Sequence, residues 1–290
     1  MAQLCGRRAG ARPCGPSPAM RLALTGAGGI VGRFIAEAAR AAGHDLVLLS
    51  RRPTGSPDEH RPHDLLGPPP PLGDVEALVH CAFQHVPGRY RGGEGADAAG
   101  FRRANLDGSL RLFEAMRGRR IVFLSSRAVF DGYPPGTLLT EGMPTCPDSL
   151  YGQVKAEAET ALVAAGGASL RATGVYGPAP DHKWRSLFDD FRAGRPIPPR
   201  AATEIHGSDL AAAVLLLLQR EETGAFHASD LLLDRHDLLA EVARLTGLSR
   251  PLPPRADASQ VSPLDCRRLS ALGWRPGGRE LLLRTLPLMI

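Results

Sequence analysis

The 290-residue sequence is almost without lysine: 33 of its 35 basic residues are arginine, and the two lysines are Lys155 and Lys183. Aromatic residues make up only 5 % of it, and the apolar stretch 210–218 is too short to cross a bilayer. The five cysteines are odd in number and lack the spacing of metal ligands. These absences argue against a membrane-spanning helix, a metal centre and a disulfide framework, so we expect free thiols in the reducing cytoplasm.

Acidic residues are missing from the first 20 positions, where Arg7, Arg8 and Arg12 supply three of the five net positive charges. The rest of the chain carries a net charge of only +2 and has no nucleic-acid-binding motif, so we expect no nucleic-acid partner. Residues 1–19 lack the apolar segment of a secretory signal and are rich in arginine, glycine and proline, which predicts a disordered leader. Met20 stands at the start of the first predicted strand, which makes it a candidate for an alternative translation start.

A glycine-rich turn follows the first predicted strand, 20–25, and precedes a predicted helix, 33–42. Its glycines are Gly26, Gly29 and Gly32. Glycine lets the backbone turn tightly and approach a ligand, and the free N–H groups at the helix start favour a phosphate. This order is typical of a dinucleotide-binding fold, although the spacing differs from the G-x-G-x-x-G of many dehydrogenases and an ordinary tight turn is the alternative.

The second predicted strand, 43–50, is followed by Arg51 and Arg52 and not by an acidic residue. In a dinucleotide-binding fold this strand end meets the adenosine ribose, where an acid selects the free 2′-hydroxyl and an arginine accommodates a 2′-phosphate. The two arginines therefore favour NADP(H), with NAD(H) still possible. In a chain so rich in arginine, a solvated surface pair is the alternative.

Strands and helices alternate along the rest of the N-terminal half. The prolines at 68–71 interrupt any helix there, so the third crossover is predicted to be truncated. Apolar runs predict buried strands at 75–83 and 121–126, with a helix at 101–117 between them. Such alternation predicts a parallel sheet, whose ligands lie at the carboxyl ends of its strands, and Ser126 lies at such an end.

One of the two lysines follows a tyrosine by four residues, in Tyr151-Gly-Gln-Val-Lys155. On a helix these two side chains share a face. A tyrosine hydroxyl, with a reference pKa of about 10, needs a nearby ammonium to favour its ionised form, and the compact charge of lysine suits that role better than the planar arginine. The pattern indicates an acid/base tyrosine, but such pairs also occur by chance on surface helices.

Seven short motifs follow one another along the chain. They are Thr25-Gly26-x-x-Gly29-x-x-Gly32, Asp64-Leu65, His80-x-Ala82, Asn105-x-x-Gly108, Ser125-Ser126-x-x-Val129-Phe130-Asp131-Gly132, Tyr151-x-x-x-Lys155 and Leu170-Arg171-x-x-Gly174-Val175-Tyr176-Gly177-Pro178. In this order they resemble the extended short-chain dehydrogenase/reductases, and more narrowly the NAD-dependent epimerase/dehydratase group. The resemblance runs from about Met20 to the C-terminus and implies a sugar or nucleotide-sugar substrate.

The resemblance also implies roles for individual residues. Tyr151 would be the acid/base, Lys155 would hold the nicotinamide ribose and lower the tyrosine pKa, and Ser126 would orient the substrate oxygen. Hydride transfer to a ketone builds negative charge on its oxygen, which two hydroxyl donors stabilise. The cofactor side would comprise Gly26, Gly29, Ile30, Gly32, Arg51, Arg52, Asp64, Leu65, Cys81, Ala82, Asn105, Tyr151 and Lys155.

Two departures from the family pattern bear on the reaction. Arg127 and Ala128 stand where the dehydratases of the group carry an Asp-Glu pair, so we expect no sugar dehydratase. The stretch 201–209 lacks the arginine with which many nucleotide-sugar epimerases hold the diphosphate, although Arg195 and Arg200 lie near it and could substitute.

The expected fold is α/β, with a Rossmann-like, doubly wound parallel sheet and a small, discontinuous C-terminal substrate lobe. Residues 20–177 and 205–230 would form the NAD(P)-binding domain. Residues 178–204 and 231–290 would form the substrate lobe. The resemblance further implies a homodimer, formed through the helices that hold Asn105 and Lys155.

Three functions stay open. The first is an NADP(H)-using oxidoreductase acting at a ketone or secondary alcohol of a sugar, because Val129-Phe-Asp-Gly132 resembles the deoxysugar reductases, such as the dTDP-4-dehydrorhamnose reductases, which often accept NADPH. The second is a nucleotide-sugar epimerase that retains its cofactor and returns the hydride to the other face of the sugar. The third is a non-catalytic dinucleotide sensor, against which the intact Ser126, Tyr151 and Lys155 argue.

Overall fold

A computed structural model describes residues 18–86 and 93–290, so the predicted leader lies almost wholly outside the described residues. Ten strands occur in these ranges: β1 (Arg21–Thr25), β2 (Asp45–Ser50), β3 (Glu59–Pro62), β4 (Ala77–His80), β5 (Arg120–Ser126), β6 (Ala168–Ala172), β7 (Gly174–Tyr176), β8 (Ala201–His206), β9 (Gly224–Ala228) and β10 (Leu231–Asp234). Seven of them form one sheet in the order β3-β2-β1-β4-β5-β6-β9, and every neighbouring pair is parallel.

Helices cover both faces of this sheet. The α-helices are α1 (Ile30–Ala41), α2 (Ala98–Arg102), α3 (Gly108–Ala115), α4 (Leu150–Ala164), α5 (Arg185–Arg192), α6 (Gly207–Arg220), α7 (Arg235–Thr246), α8 (Arg267–Ala271) and α9 (Gly278–Thr285). Because side chains alternate along a strand, Leu22 and Leu24 of β1 belong to the core under α1 and α6, whereas Ala23 belongs to the core under α3 and α4. Both faces are therefore buried, and the predicted doubly wound α/β fold is confirmed.

A smaller sheet lies beside the large one. In it β8 pairs in parallel with β7 and in antiparallel with β10. β7 lies inside the segment 20–177 that was predicted to form the NAD(P)-binding domain, and it pairs with β8 after the chain leaves the large sheet at Ala172. A third apolar core, which includes Trp184, Phe188 and Leu238, supports the small sheet.

The segment predicted as one helix, 101–117, is divided in the structure. α2 is followed by a π-helical stretch, Arg103–Asp107, and then by α3. Single π turns inside helices often occur at functional sites, and this one holds Asn105. The truncated third crossover is confirmed, since residues 63–76 between β3 and β4 contain no helix. None of the helices in the described ranges has both the length and the apolar character needed to cross a membrane.

The glycine turn between β1 and α1 depends on the absence of side chains. Gly26 has a φ of +76°, and a Cβ there would stand 2.8 Å from the backbone nitrogen of Ala82. A Cβ on Gly32, in the first turn of α1, would collide with the carbonyl oxygen of Gly26. These two glycines therefore let α1 begin directly above the carboxyl end of β1.

We predict that Gly32→Ala lowers the free energy of unfolding by about 1–3 kcal/mol, because the new methyl group forces the turn apart. Gly73→Ala is the matched control, since a Cβ at Gly73 meets no atom within 4 Å. The control should change stability by less than about 0.5 kcal/mol. Urea denaturation of both variants measures the difference, and equal midpoints would contradict the prediction.

Candidate active site

The hydroxyl of Thr25 joins the ends of β1 and β4 at the carboxyl edge of the sheet. Its oxygen accepts hydrogen bonds from the backbone nitrogens of Cys81 and Ala82, each at 3.0 Å. Its proton is therefore donated to Nδ1 of the buried His80, 2.7 Å away. Burial lowers the pKa of His80 to about 3, so the imidazole is neutral and can accept that proton.

The network continues into the π-helical stretch. Nε2 of His80 donates to the hydroxyl of Ser109 at 2.9 Å, and that hydroxyl donates to the carbonyl of Asn105. The side chain of Asn105 in turn accepts from the backbone nitrogen of Gln84 at 2.6 Å and donates to its carbonyl at 2.9 Å. Asn105 was predicted on the cofactor side, and the structure places its amide on the loop after β4.

Ser126, Tyr151 and Lys155 lie on adjacent elements. Ser126 is the last residue of β5, is half-buried, and accepts a hydrogen bond from the nitrogen of Ala128. Tyr151 and Lys155 lie on the first two turns of α4, which packs against β5. The ammonium of Lys155 stands 5.9 Å from the centre of the Tyr151 ring. The structure therefore brings the predicted lysine and tyrosine together.

The ammonium of Lys155 is buried. Its Nζ donates to the carbonyl of Leu124 at 2.7 Å and lies 4.2 Å and 4.5 Å from the ring centres of Phe83 and Phe123. Burial lowers the pKa of Lys155 to about 7, and the nearby acidic groups of Cys81 and Glu159 oppose that shift only in part. An ammonium buried in this way holds its proton less tightly than an exposed lysine does.

The ring of Phe83 contacts both Tyr151 and Lys155. Its ring meets the Tyr151 ring edge-on, with 5.1 Å between centres, and also contacts Phe101. The backbone nitrogen of Tyr151 donates to Glu94. Neither Phe83 nor Glu94 was predicted as a site residue, although Phe83 directly follows the His80-x-Ala82 motif.

The predicted cofactor residues lie along the carboxyl edge of the sheet. Arg51 and Arg52 follow β2, and both are exposed to solvent. Asp64 and Leu65 follow β3; the carboxylate of Asp64 accepts from the nitrogen of Leu66, and the carbonyl of Leu65 accepts from Arg111. Cys81 follows β4, and burial raises the pKa of its thiol to about 12.

The two arginines suggested as substitutes for a diphosphate-binding arginine, Arg195 and Arg200, are exposed. Arg195 forms an ion pair with Asp190, and Arg200 follows a run of exposed residues before β8. Arg127, which stands at the dehydratase position, forms an ion pair with Asp131 at 3.1 Å. Within residues 18–86 and 93–290, no cluster of three or more histidine, cysteine or acidic side chains is placed to hold a metal ion.

This arrangement can be compared with known proteins. The model of the NAD dependent epimerase/dehydratase family matches residues 22–228, well over half of the chain. The chain belongs to this family. The match covers the large sheet from β1 to β9 together with Ser126, Tyr151 and Lys155, and it confirms the predicted family and enzyme class.

Similar proteins align with most of the chain. UDP-glucose 4-epimerase of Corynebacterium glutamicum is 29 % identical over 245 residues, which are 71 % of this chain and 73 % of the relative. The structure of Thermus thermophilus UDP-glucose 4-epimerase in complex with NAD aligns with a TM-score of 0.73 and 25 % identity, covering 93 % and 99 % of the two chains. MoeE5 in complex with UDP-glucose and NAD aligns with a TM-score of 0.75 and 24 % identity, covering 91 % and 96 %.

We predict that burial of the Lys155 ammonium makes stability depend on pH. The native pKa of about 7 lies below the value of 10.5 for an exposed lysine, so unfolding takes up a proton between these values. The free energy of unfolding should therefore rise with pH in that window, by up to about 1.4 kcal/mol per pH unit. Below about pH 7 both states are protonated and the effect disappears.

The measurement is urea denaturation of the wild type and Lys155→Met from about pH 6 to about pH 10. The variant removes the titrating group, so the stability of the wild type relative to the variant should increase across this range. Parallel curves for the two proteins would show that the ammonium is not desolvated in the native state.

Proposed function

We propose that this protein is a nucleotide-sugar epimerase that retains its nicotinamide dinucleotide. The observation that carries the proposal is the position of Ser126, Tyr151 and Lys155 beside the carboxyl ends of β1 and β4. The glycine turn fits a dinucleotide, because Gly26 and Gly32 leave no side chain between the backbone and a pyrophosphate. Epimerase activity of the Corynebacterium and Thermus relatives supports the same reading.

Each residue has one role in this reaction. When bound, the dinucleotide supplies a hydride acceptor that returns the hydride in the second half of the cycle. Tyr151 removes the proton from the secondary alcohol of the sugar during oxidation and gives it back during reduction. Lys155 stabilises the phenolate by its charge, and the hydroxyl of Ser126 donates a hydrogen bond to the oxygen of the transient ketone.

The second candidate is a reductase that consumes its cofactor. The arginines at the end of β2 favour it, because the deoxysugar reductases that the Val129-Phe-Asp-Gly132 segment resembles often accept NADPH. Net cofactor turnover distinguishes the two reactions, since an epimerase ends with the same oxidation state with which it began.

We predict that the wild type interconverts UDP-glucose and UDP-galactose without net production of reduced cofactor. Tyr151→Phe should lower turnover by about a hundredfold or more, because the acid/base is lost, while dinucleotide affinity changes by less than about threefold. Chromatography of the sugar nucleotides and absorbance of the reduced cofactor measure both. Stoichiometric cofactor consumption would favour the reductase, and an undiminished Tyr151→Phe rate would remove the tyrosine from the mechanism.

We further propose that the dinucleotide is NADP(H) in preference to NAD(H). Arg51 and Arg52 are exposed, form no ion pair in the described residues, and follow β2 where the adenosine ribose would lie. Neither position offers an acidic side chain to select a free 2′-hydroxyl. The Thermus and MoeE5 structures hold NAD. The proposed preference for NADP(H) therefore distinguishes this protein from those two.

We predict that the wild type binds NADP⁺ about tenfold more tightly than NAD⁺, the size of one charge-assisted hydrogen bond. Replacing both Arg51 and Arg52 by alanine should abolish this preference. Arg220→Ala is the control, because it removes an exposed arginine at the other end of the sheet, where α6 ends. Titration calorimetry with both dinucleotides measures the ratio, and a stronger affinity for NAD⁺ in the wild type would contradict the proposal.

Homodimerisation through α3 and α4 is also proposed. These helices pack against each other, and α4 leaves Val163 62 % exposed. A reducing cytoplasmic location fits the free thiols of Cys81, Cys146 and Cys266.

A further inference from the structure

The second lysine of the chain takes part in an ion pair at the small sheet. Lys183 stands between β7 and α5, and its Nζ pairs with the Oε2 of Glu204 on β8. The side chain of Glu204 is 7 % exposed and that of Lys183 is 25 % exposed. Burial raises the pKa of Glu204, and the ammonium of Lys183 opposes that shift. The ion pair holds the ammonium at β8, while part of the lysine side chain stays exposed.

Gly174 makes room for this pair. A Cβ at Gly174 would overlap both the Nζ of Lys183 and the Oε2 of Glu204. The ammonium and the carboxylate therefore occupy the space that a side chain at the start of β7 would fill. This space lies past the carboxyl end of β6, the edge at which parallel sheets bind ligands.

The register of the large sheet limits the distance between Ser126 and the start of β7, where the pair lies. Ala172, the last residue of β6, lies opposite Ser126 in the neighbouring strand. Strands lie about 4.8 Å apart and two residues span at most about 7 Å, so the Cα of Gly174 lies within about 12 Å of that of Ser126. If the reacting carbon of the sugar lies at Ser126, the rest of a nucleotide sugar is long enough to extend from Ser126 to the start of β7.

The residue type at position 183 is unusual for this chain. Arginine occupies 33 of the 35 basic positions, and both exceptions, Lys155 and Lys183, lie near the carboxyl edge of the large sheet. A compact ammonium with three donors can bind one carboxylate and still serve a second anion. Ala202 lies on the same face of β8, two residues before Glu204. Because Ala202 is uncharged, it cannot bind an anion in place of Lys183.

We propose that Lys183, positioned by Glu204, binds anionic oxygens of the substrate beyond its reacting sugar carbon. The inference rests on the proposed nucleotide-sugar function and assigns to it a residue that recognises the substrate. The anionic oxygens belong either to the diphosphate or to a carboxylate on the sugar, and both bind an ammonium by the same charge-assisted hydrogen bonds.

The test replaces both members of the pair, as Lys183→Met with Glu204→Gln. Removing the lysine alone would leave a buried carboxylate unpaired and confuse loss of stability with loss of binding. Affinities for UDP, UDP-glucose and UDP-glucuronic acid are measured by calorimetry on the wild type and the double variant loaded with dinucleotide. The melting temperature of each protein is recorded beside them.

We expect the double variant to bind its anionic target at least about tenfold more weakly. A loss for all three ligands assigns Lys183 to the diphosphate, and a loss for UDP-glucuronic acid alone assigns it to a sugar carboxylate. Unchanged affinity for all three overturns the proposal. If the wild type binds none of the three, the proposed function fails as well.

A second variant covers the case in which the double variant does not fold. Gly174→Ala keeps both charges but displaces the ammonium from its place beside Glu204. It should weaken binding of the same ligands as the double variant, while Gly142→Ala, which adds its methyl group in open space, serves as the control. Equal affinities in these two glycine variants would overturn the proposal independently.

Discussion

The hydroxyl of Thr25 connects the ends of β1 and β4, the two strands between which the proposed dinucleotide cleft opens. It accepts two backbone hydrogen bonds from the chain after β4 and donates to the neutral His80, which passes the connection on to Ser109 and Asn105. Because every member is buried or half-buried and satisfied, the glycine turn, the end of β4 and the π-helical stretch hold one another in place. Phe83, whose ring contacts the ammonium of Lys155, lies between Ala82 and Gln84, and the backbone nitrogens of both neighbours donate to this network.

Those surroundings determine the electrostatics of the site. The Nζ of Lys155 lies over the rings of Phe83 and Phe123 and donates to the carbonyl of Leu124, and its burial there lowers its pKa. A more hydrated ammonium would keep its charge but would act on Tyr151 through water, where its field is weaker. Burial therefore strengthens the influence of the charge on the phenol while making the charge itself easier to lose.

Local patterns made much of this predictable from the sequence. The turn at Gly26 and the shared helical face of Tyr151 and Lys155 depend on residues only a few positions apart, and the parallel sheet follows from the alternation of elements. β7 has three residues and no periodicity of its own, so its pairing with β8 could not be read from the chain. The same holds for the contact between Lys183 and Glu204, which only the tertiary fold brings together.

A single residue, Thr173, separates β6 from β7, so the large and small sheets share an almost continuous backbone. The small sheet cannot swing away from the large one at this junction without unpairing one of these strands. The pairing of β5 with β6, and of β7 with β8, therefore fixes the distance between Ser126 and the start of β7. In the proposed reaction, a ligand must therefore span the distance between Ser126 and Lys183 to contact both residues.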